Sequence, residues 1–202
     1  MRKSFYGISL FLMLALGMSC ATYQAGKGIP TVRKFGFFSY IKENKDLALV
    51  VDTELARRRK DENYFPLGIK VANKNLDSLT IDREALILVD QDGTEYAMPD
   101  ILELQENYDR LTADHKFKTQ TGLIGDQVLT SFSYYRQAES NFFPQTQGAG
   151  YIINRVYIQK KGYMEDLIYF PMPPGGIEGK TLLLRLASPQ LEVPFEIPFP
   201  ID

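Results

Sequence analysis

The sequence predicts a mostly β protein, an antiparallel β-sandwich with a helical insertion between two of its strands. Short segments rich in β-branched and aromatic residues recur along the chain, with turn-forming residues between them, as in sandwiches of antiparallel sheets. The segment from about residue 100 to 143 lacks this pattern and has helical periodicity instead. A length of 202 residues with 45% hydrophobic side chains fits one folded domain.

Eight segments have the residue pattern of strands. Tyr64–Ala72 alternates apolar residues on one face, and Ala85–Val89 is apolar throughout, as expected for a strand covered on both faces. Pro66 and Pro194 cannot donate to a strand ladder, so we expect each at a strand end or on an edge strand. The remaining predicted strands are Leu47–Thr53, Leu79–Ile81, Arg155–Gln159, Leu167–Phe170, Thr181–Leu186 and Leu191–Ile197.

Two helices are predicted within the insertion. Asp100 and Glu103 form a pair typical of a capping box at a helix N-terminus. The apolar residues that follow share one helical face: Ile101, Leu104, Tyr108 and Leu111. Asp126 is a candidate cap for the second helix. The apolar face of that helix comprises Val128, Leu129, Phe132 and Tyr135.

The first 19 residues have the pattern of an export signal. Arg2 and Lys3 form a positive start, and Gly7–Met18 is an uncharged apolar run of 12 residues. A helix that crosses a bilayer needs about 20 apolar residues, so this run is too short to span one. A charged start and a short apolar run predict a secretory signal. The alternative is a buried N-terminal helix.

The only cysteine, Cys20, follows this run directly, after Leu16-Gly17-Met18-Ser19. This arrangement resembles the lipobox of bacterial lipoproteins. The resemblance implies that a diacylglycerol is attached to the Cys20 sulfur and that cleavage makes Cys20 the new N-terminus. Gly17 departs from the family, which usually has an aliphatic residue there. The Ser19-Cys20-Ala21 sequence also fits ordinary signal cleavage after Ala21.

The lipoprotein resemblance implies a location in the cell envelope. Each buried CH₂ of an acyl chain contributes about 0.8 kcal/mol, so two or three chains hold a domain at a membrane almost permanently. Ala21, rather than Asp, follows the cysteine, which by the same resemblance implies the outer membrane of a Gram-negative cell. The expected order is a signal over 1–19, a lipidated cysteine and flexible linker over 20–30, and one domain over 31–202.

A second resemblance concerns the folded domain. Phe65–Tyr96 resembles the hairpin region of immunoglobulin-like extracytoplasmic lipoprotein domains, in which an Asn-containing turn precedes a short strand and an Asp-x-Asp-Gly-x-x-Tyr segment. Here those parts are Val71–Asn75, Leu79–Ile81 and Asp90–Tyr96. Leu167–Pro171 is similar to the penultimate strand of that group. The resemblance implies an immunoglobulin-like sandwich outside the cytoplasm, and it implies no catalytic residue.

The candidate metal and nucleophile sites are few. A single histidine and a single cysteine exclude a two-His metal site and a Cys-based zinc site. His115 lies in a polar stretch without a Gly-x-Ser-x-Gly elbow elsewhere, so we expect an exposed loop histidine rather than a catalytic one. Asp90, Asp92 and Glu95 could supply oxygens to Ca²⁺, but Asp-x-Asp-Gly is equally a hairpin-turn signal, which we favour.

Two charged segments have a functional and a plain interpretation. Arg57–Lys60 could contact anionic lipid head groups, but Asp61 and Glu62 follow at once, so a solvated loop is the favoured interpretation. Glu165 and Asp166 could act as the acid/base pair of a glycosidase. Neighbours in a strand point to opposite faces, so we instead expect charges that protect an edge strand.

Aromatic residues are concentrated in the insertion and form a possible partner surface, because exposed tyrosines favour contacts with proteins or glycans. These residues are Tyr108, Phe132, Tyr134, Tyr135, Phe142 and Phe143. The alternative, which we favour, is that the insertion packs them onto the sandwich.

The function expected from these features is that of a membrane-anchored, non-enzymatic binding or assembly module of the cell envelope. Its expected partners are the membrane, through the lipid, and an envelope protein or glycan. A net charge of −2 argues against broad capture of nucleic acid, and no cofactor is expected. The alternatives are a secreted hydrolase acting on wall sugars through a carboxylate pair, and a purely structural lipoprotein.

Overall fold

Strands dominate the part of the chain that the computed structural model describes, residues 31–121, 133–144 and 151–202. The strands are β1 Arg33–Phe35, β2 Ser39–Glu43, β3 Leu47–Asp52, β4 Tyr64–Asn73, β5 Ser78–Asp82, β6 Leu86–Val89, β7 Glu95–Ala97, β8 Arg136–Gln137, β9 Arg155–Gln159, β10 Gly162–Pro171, β11 Thr181–Leu186 and β12 Phe195–Pro200. The helices are α1 Glu54–Arg58, α2 Ile101–Asn107 and α3 Leu111–Thr121, with a short 3₁₀ helix at Arg83–Ala85. The export signal, Cys20, the linker to residue 30 and Asp126 lie outside the described ranges.

The larger sheet has six strands in the order β1-β2-β3-β4-β10-β8. Strands β1 to β4 form an antiparallel meander, and β10 then pairs antiparallel with β4 over ten residues, from Gly162 opposite Asn73 to Pro171 opposite Tyr64. Only the short β8 runs parallel to its neighbour, β10. The two longest strands, β4 and β10, are therefore neighbours, with β4 in the interior of the sheet and β10 paired on its outer side only at Gly162 and Tyr163.

A second antiparallel sheet, in the order β12-β11-β6-β7, packs against the first. The ring of Tyr40 on β2 lies 6.5 Å from that of Phe199 on β12. Lys42 donates to the Glu196 carbonyl at 2.7 Å across the same interface. These contacts confirm the predicted mostly β, antiparallel sandwich, with the helices α2 and α3 inserted between β7 and β8.

A third layer covers the opposite face of the larger sheet. Val51 of β3 lies directly opposite Tyr40 of β2 on one side and Ile69 of β4 on the other, so these three side chains share one face. This face points toward the second sheet, because Tyr40 packs against Phe199 there. The alternate residues of β4 point the other way, and there the Tyr64 ring packs edge-on against Tyr108, which directly follows α2. All ten residues of β4 are buried, because each of its faces is covered.

A two-stranded corner links the layers. Strands β4 and β10 continue as the antiparallel pair β5–β9 beyond Asn73 and Gly162. The buried Asn73 amide donates to the carbonyls of Leu76 and Ile158 at 2.9 and 3.0 Å. Lys161, at φ 59°, closes the β9–β10 turn and donates its backbone N–H to Asn73. The corner is thus tied together by one asparagine.

The strand predictions are confirmed for the apolar segments and wrong in detail elsewhere. Four short strands were not expected from the sequence: β1, β2, β7 and β8. Each has five residues or fewer, and most of their residues are polar. Strand β12 begins at Phe195 rather than Leu191, directly after Pro194. The β3–β4 ladder ends at Gly68, two residues after Pro66 in the chain. Pro66 therefore lies outside that ladder, and its missing N–H leaves the ladder intact.

The first predicted helix is confirmed together with its cap. The Asp100 carboxylate accepts a hydrogen bond from the Leu102 amide at 2.8 Å. The predicted apolar face is buried, but the helix ends at Asn107, and a second helix begins at Leu111. The sequence prediction of one helix through Leu111 is therefore wrong at its C-terminal end.

Candidate functional site

The helical layer carries a buried polar network on its inner side. The Asp114 carboxylate of α3 has one oxygen bonded to the Arg59 guanidinium, at 2.8 Å from Nε and 2.7 Å from Nη2. Its other oxygen accepts the Tyr108 hydroxyl at 2.5 Å. Asp114 is completely buried, so both contacts compensate for the water that the carboxylate has lost.

The network keeps its tyrosine neutral. Burial, followed by the hydrogen bond to Asp114, raises the pKa of Tyr108. Burial also raises the pKa of Asp114, although Tyr108 and Arg59 oppose this effect. Tyr108 is therefore a hydrogen-bond donor at neutral pH, and its ring lies 5.6 Å from the buried Tyr169 ring of β10. The arrangement fixes α3 to the sheet.

His115 is buried in α3, so the expectation of an exposed loop histidine is wrong. Its side chain turns inward next to Asp114 because this part of the polar stretch folds as a helix against the sheet. Burial, and secondarily the Lys118 charge, lower the pKa of His115 to about 4, opposed by a hydrogen bond to the Phe143 backbone. The imidazole Nε2 is buried and has no hydrogen-bond partner among the described residues. The neutral imidazole is thus held within the packed layer.

The adjacent carboxylates Glu165 and Asp166 contact different cations. Glu165 lies 3.8 Å from the fully buried Lys70 of β4, and Asp166 lies 3.6 Å from Lys118 of α3. Asp166 also accepts the backbone amides of Phe142 and Leu167, both at 2.9 Å. The expectation of edge-strand charges is wrong for Asp166, because its carboxylate is 1% exposed and is engaged with Lys118 and two backbone amides rather than facing solvent.

The predicted aromatic surface divides into buried and exposed members. Tyr108, Phe142 and Phe143 are buried, with the Phe143 ring 5.2 Å from Tyr169, so they belong to the core and not to a partner surface. Tyr134 is 97% exposed, and Tyr135 is partly buried beside Lys161. Phe132 lies outside the described residues. Packing against β10 explains why the three buried rings are not available to a partner.

The basic run Arg57–Lys60 is not a solvated loop, since α1 and its C-cap contain its first three residues. Arg57 stacks over Phe38 and Lys60 contacts Glu178 at 3.1 Å, both away from α3. Arg58 and Arg59 instead face α3. The four cations therefore point to three different neighbours, which is unlike a flat lipid-binding patch.

A groove of about 570 Å³ lies between α1 and α3. Its polar wall contains Arg58, Arg59, Lys116 and Gln120. Its apolar floor consists of Leu55, Ala113 and Phe117. The sequence does not predict this groove, because Lys116 and Phe117 come next to the basic run only when α3 packs beside α1.

The Asp90 segment is a hairpin turn, as favoured from the sequence. Asp90 accepts the backbone amides of Asp92 and Thr94, and Gly93 has φ +82°. Glu95 is bonded to Arg185 instead of facing the turn. Within the described ranges, no group of three or more His, Cys, Asp or Glu residues is placed to hold a metal ion, and no helix has the length and apolarity of a membrane span.

Comparisons with protein-family models, with curated proteins and with solved structures find no match to this chain.

Proposed function

We propose that the protein is a lipid-anchored, non-enzymatic binding module of the cell envelope. The anchor is supported by the leader, in which a positive start and 12 apolar residues end at the single cysteine, Cys20. In this proposal the mature chain starts at Cys20, and the segment to residue 30 connects the lipid to the folded domain.

One structural observation favours binding over catalysis. The two buried carboxylates at the helical layer are paired, Asp114 with Arg59 and Asp166 with Lys118, whereas the groove beside them is open. A general acid or base must reach substrate, and these buried groups instead hold α3 on the sheet. An open groove with fixed walls is a feature of binding sites. The groove is therefore the proposed recognition site.

The anchor is tested by the intact mass of the mature protein purified from membranes. We expect a chain that begins at Cys20 and carries the added mass of acyl chains. Cys20→Ser should release the protein from the membrane fraction, whereas Ser19→Ala, which keeps a small residue before the cysteine, should leave it there. An unmodified N-terminus at Thr22, or a retained leader, would overturn the proposal.

A further inference from the structure

We propose that the groove between α1 and α3 binds a small organic anion, with the phosphate or carboxylate group on Arg58, Arg59 and Lys116 and the apolar part on Leu55 and Phe117. This inference rests on the proposed function and deepens it by naming the class of ligand. It is carried by the charge, the rigidity and the size of the groove.

The charge of the groove is positive. Three cationic side chains line it. Two of these charges are paired with carboxylates: Arg58 Nη2 lies 2.7 Å from Glu54 Oε1, and Arg59 is paired with the buried Asp114. Lys116 is exposed and forms no ion pair within the described part of the chain. The side chains that line the groove include no carboxylate, so an anion that enters it meets cations and one amide.

Arg59 is held in place before any ligand arrives, and Arg58, whose side chain is 56% exposed, is oriented by its neighbours. Arg59 has only 20% of its side chain exposed and uses Nε and Nη2 on the same Asp114 oxygen. The Arg58 guanidinium lies 4.9 Å from the centre of the Phe117 ring and is bonded to Glu54. A fixed guanidinium loses little conformational entropy on binding. Nε and Nη2 of each arginine are used on Glu54 or Asp114, so Nη1 is the group that can donate to a phosphate or carboxylate oxygen of the ligand.

The floor and the size of the groove indicate an organic anion rather than a bare ion. Leu55 is 2% exposed, and Phe117 packs partly against the core, so the floor is apolar and well supported. A volume of about 570 Å³ lies within the range of roughly 300–1,000 Å³ typical of small-molecule sites. A ligand with a charged head group and a short apolar body matches the polar wall and the apolar floor of the groove.

The test is calorimetric titration of the full-length protein, in a non-ionic detergent, with hexyl phosphate. We expect saturable binding, and we expect inorganic phosphate and hexanol each to bind at least about fivefold more weakly, because each probe lacks one half of the recognised chemistry. Arg58→Gln and Lys116→Gln should each weaken hexyl phosphate binding about fivefold. Titration into detergent alone gives the blank.

Lys60→Gln is the matched control, since Lys60 belongs to the same basic run but contacts Glu178 outside the groove. It should leave the affinity unchanged. The inference is overturned if hexyl phosphate does not bind, if Lys60→Gln weakens binding as much as Arg58→Gln does, or if inorganic phosphate or hexanol binds as tightly as hexyl phosphate. These results are independent of Cys20, so they are distinguishable from a failure of the lipid anchor.

The source of the anionic group is identified by repeating the titration in mixed micelles that contain phosphatidic acid. Weaker apparent binding of hexyl phosphate, restored in plain micelles, means that a lipid head group competes for the groove. Unchanged binding means that the ligand is a soluble anion. Both results support the site, whereas competition that persists undiminished in Arg58→Gln and Lys116→Gln would contradict it.

Discussion

At the scale of single residues, the polar groups of this protein are buried in pairs that depend on distant parts of the chain. Arg59 and Asp114 are 55 positions apart, and Lys70 and Glu165 meet only because β4 and β10 pair. Removal of one partner from a buried ion pair costs about 3–5 kcal/mol, since the other charge stays buried without compensation. These pairs therefore specify where α3 and β10 lie more than they add to stability.

His115 gives the folded protein a specific sensitivity to acid. Its pKa is about 4 in the folded chain, below the ordinary value of 6.5. Between these two values the unfolded chain binds a proton that the folded chain does not, so the free energy of unfolding falls as the pH falls through this range. Between pH 7.5 and 4.5 we expect the wild type to lose ~2–3 kcal/mol relative to His115→Gln, measured by urea unfolding.

The comparison isolates one group, because His115 is the only histidine of the chain. The carboxylates near it, Asp114 and Asp166, titrate in both proteins and cancel from the difference. A difference between wild type and variant that does not change between the two pH values would show that the imidazole is not buried as the structure has it.

At the scale of elements, apolar pattern predicted the strands well, and polar pattern predicted poorly. Alternation identified β4 because the residues on one of its faces are all apolar, yet alternation alone does not show that Lys70 on the other face is fully buried. Local charge likewise suggested edge-strand charges at Glu165 and Asp166, since nothing local reveals that α3 supplies Lys118 to Asp166. The groove was not predictable, because it needs the packing of α1 against α3 and not the sequence of either.

The turn between β9 and β10 depends on a glycine for reasons of space. A Cβ atom at Gly162 would lie 2.8 Å from the Gln159 carbonyl oxygen and 3.1 Å from Ile158 Cγ2. The closer atom is a backbone oxygen, so it can move away only if the backbone of the turn changes its conformation. We expect Gly162→Ala to lower stability by about 1–3 kcal/mol, seen as a lower thermal midpoint.

A matched alanine substitution separates this steric effect from a general sensitivity of the corner. Ser78 is exposed and pairs with Gln159 in the β5–β9 ladder, next to the same turn. Ser78→Ala should therefore change stability by less than about 0.5 kcal/mol. Equal midpoints for Gly162→Ala and the wild type would mean that the turn is looser than the structure indicates.

At the scale of the whole molecule, the larger sheet lies between the helical layer and the second sheet. Arg83, which precedes β6 of the second sheet, also links the two directly through the Phe143 ring and the Pro99 carbonyl. The helical layer packs on one face through Tyr64, Tyr108 and Tyr169, and the second sheet packs on the other through Tyr40 and Phe199. Layers that meet mainly through a sheet can open one at a time. The helical layer, which is small and rich in buried polar groups, is the one expected to open first.

Amide hydrogen exchange at increasing urea concentrations tests this order of opening. Leu184 is buried on β11 in the second sheet, and Leu184→Ala removes about 2–5 kcal/mol of packing energy there. If the helical layer opens while the sandwich stays folded, the packing around Leu184 is the same before and after opening. The free energy of opening is then the same in Leu184→Ala and the wild type. Exchange in α2 and α3 should then be unchanged in Leu184→Ala and depend only weakly on urea, while β11 exchanges faster.

Tyr108→Ala is the complementary variant, because it removes a ring from the interface between α2, α3 and β10 and takes a hydrogen bond from Asp114. It should accelerate exchange in α2 and α3 strongly and with the same weak dependence on urea. Faster exchange of the helices in Leu184→Ala would instead mean that one cooperative unit spans all three layers. In that case α1 and α3, the walls of the groove, would open only together with the sandwich.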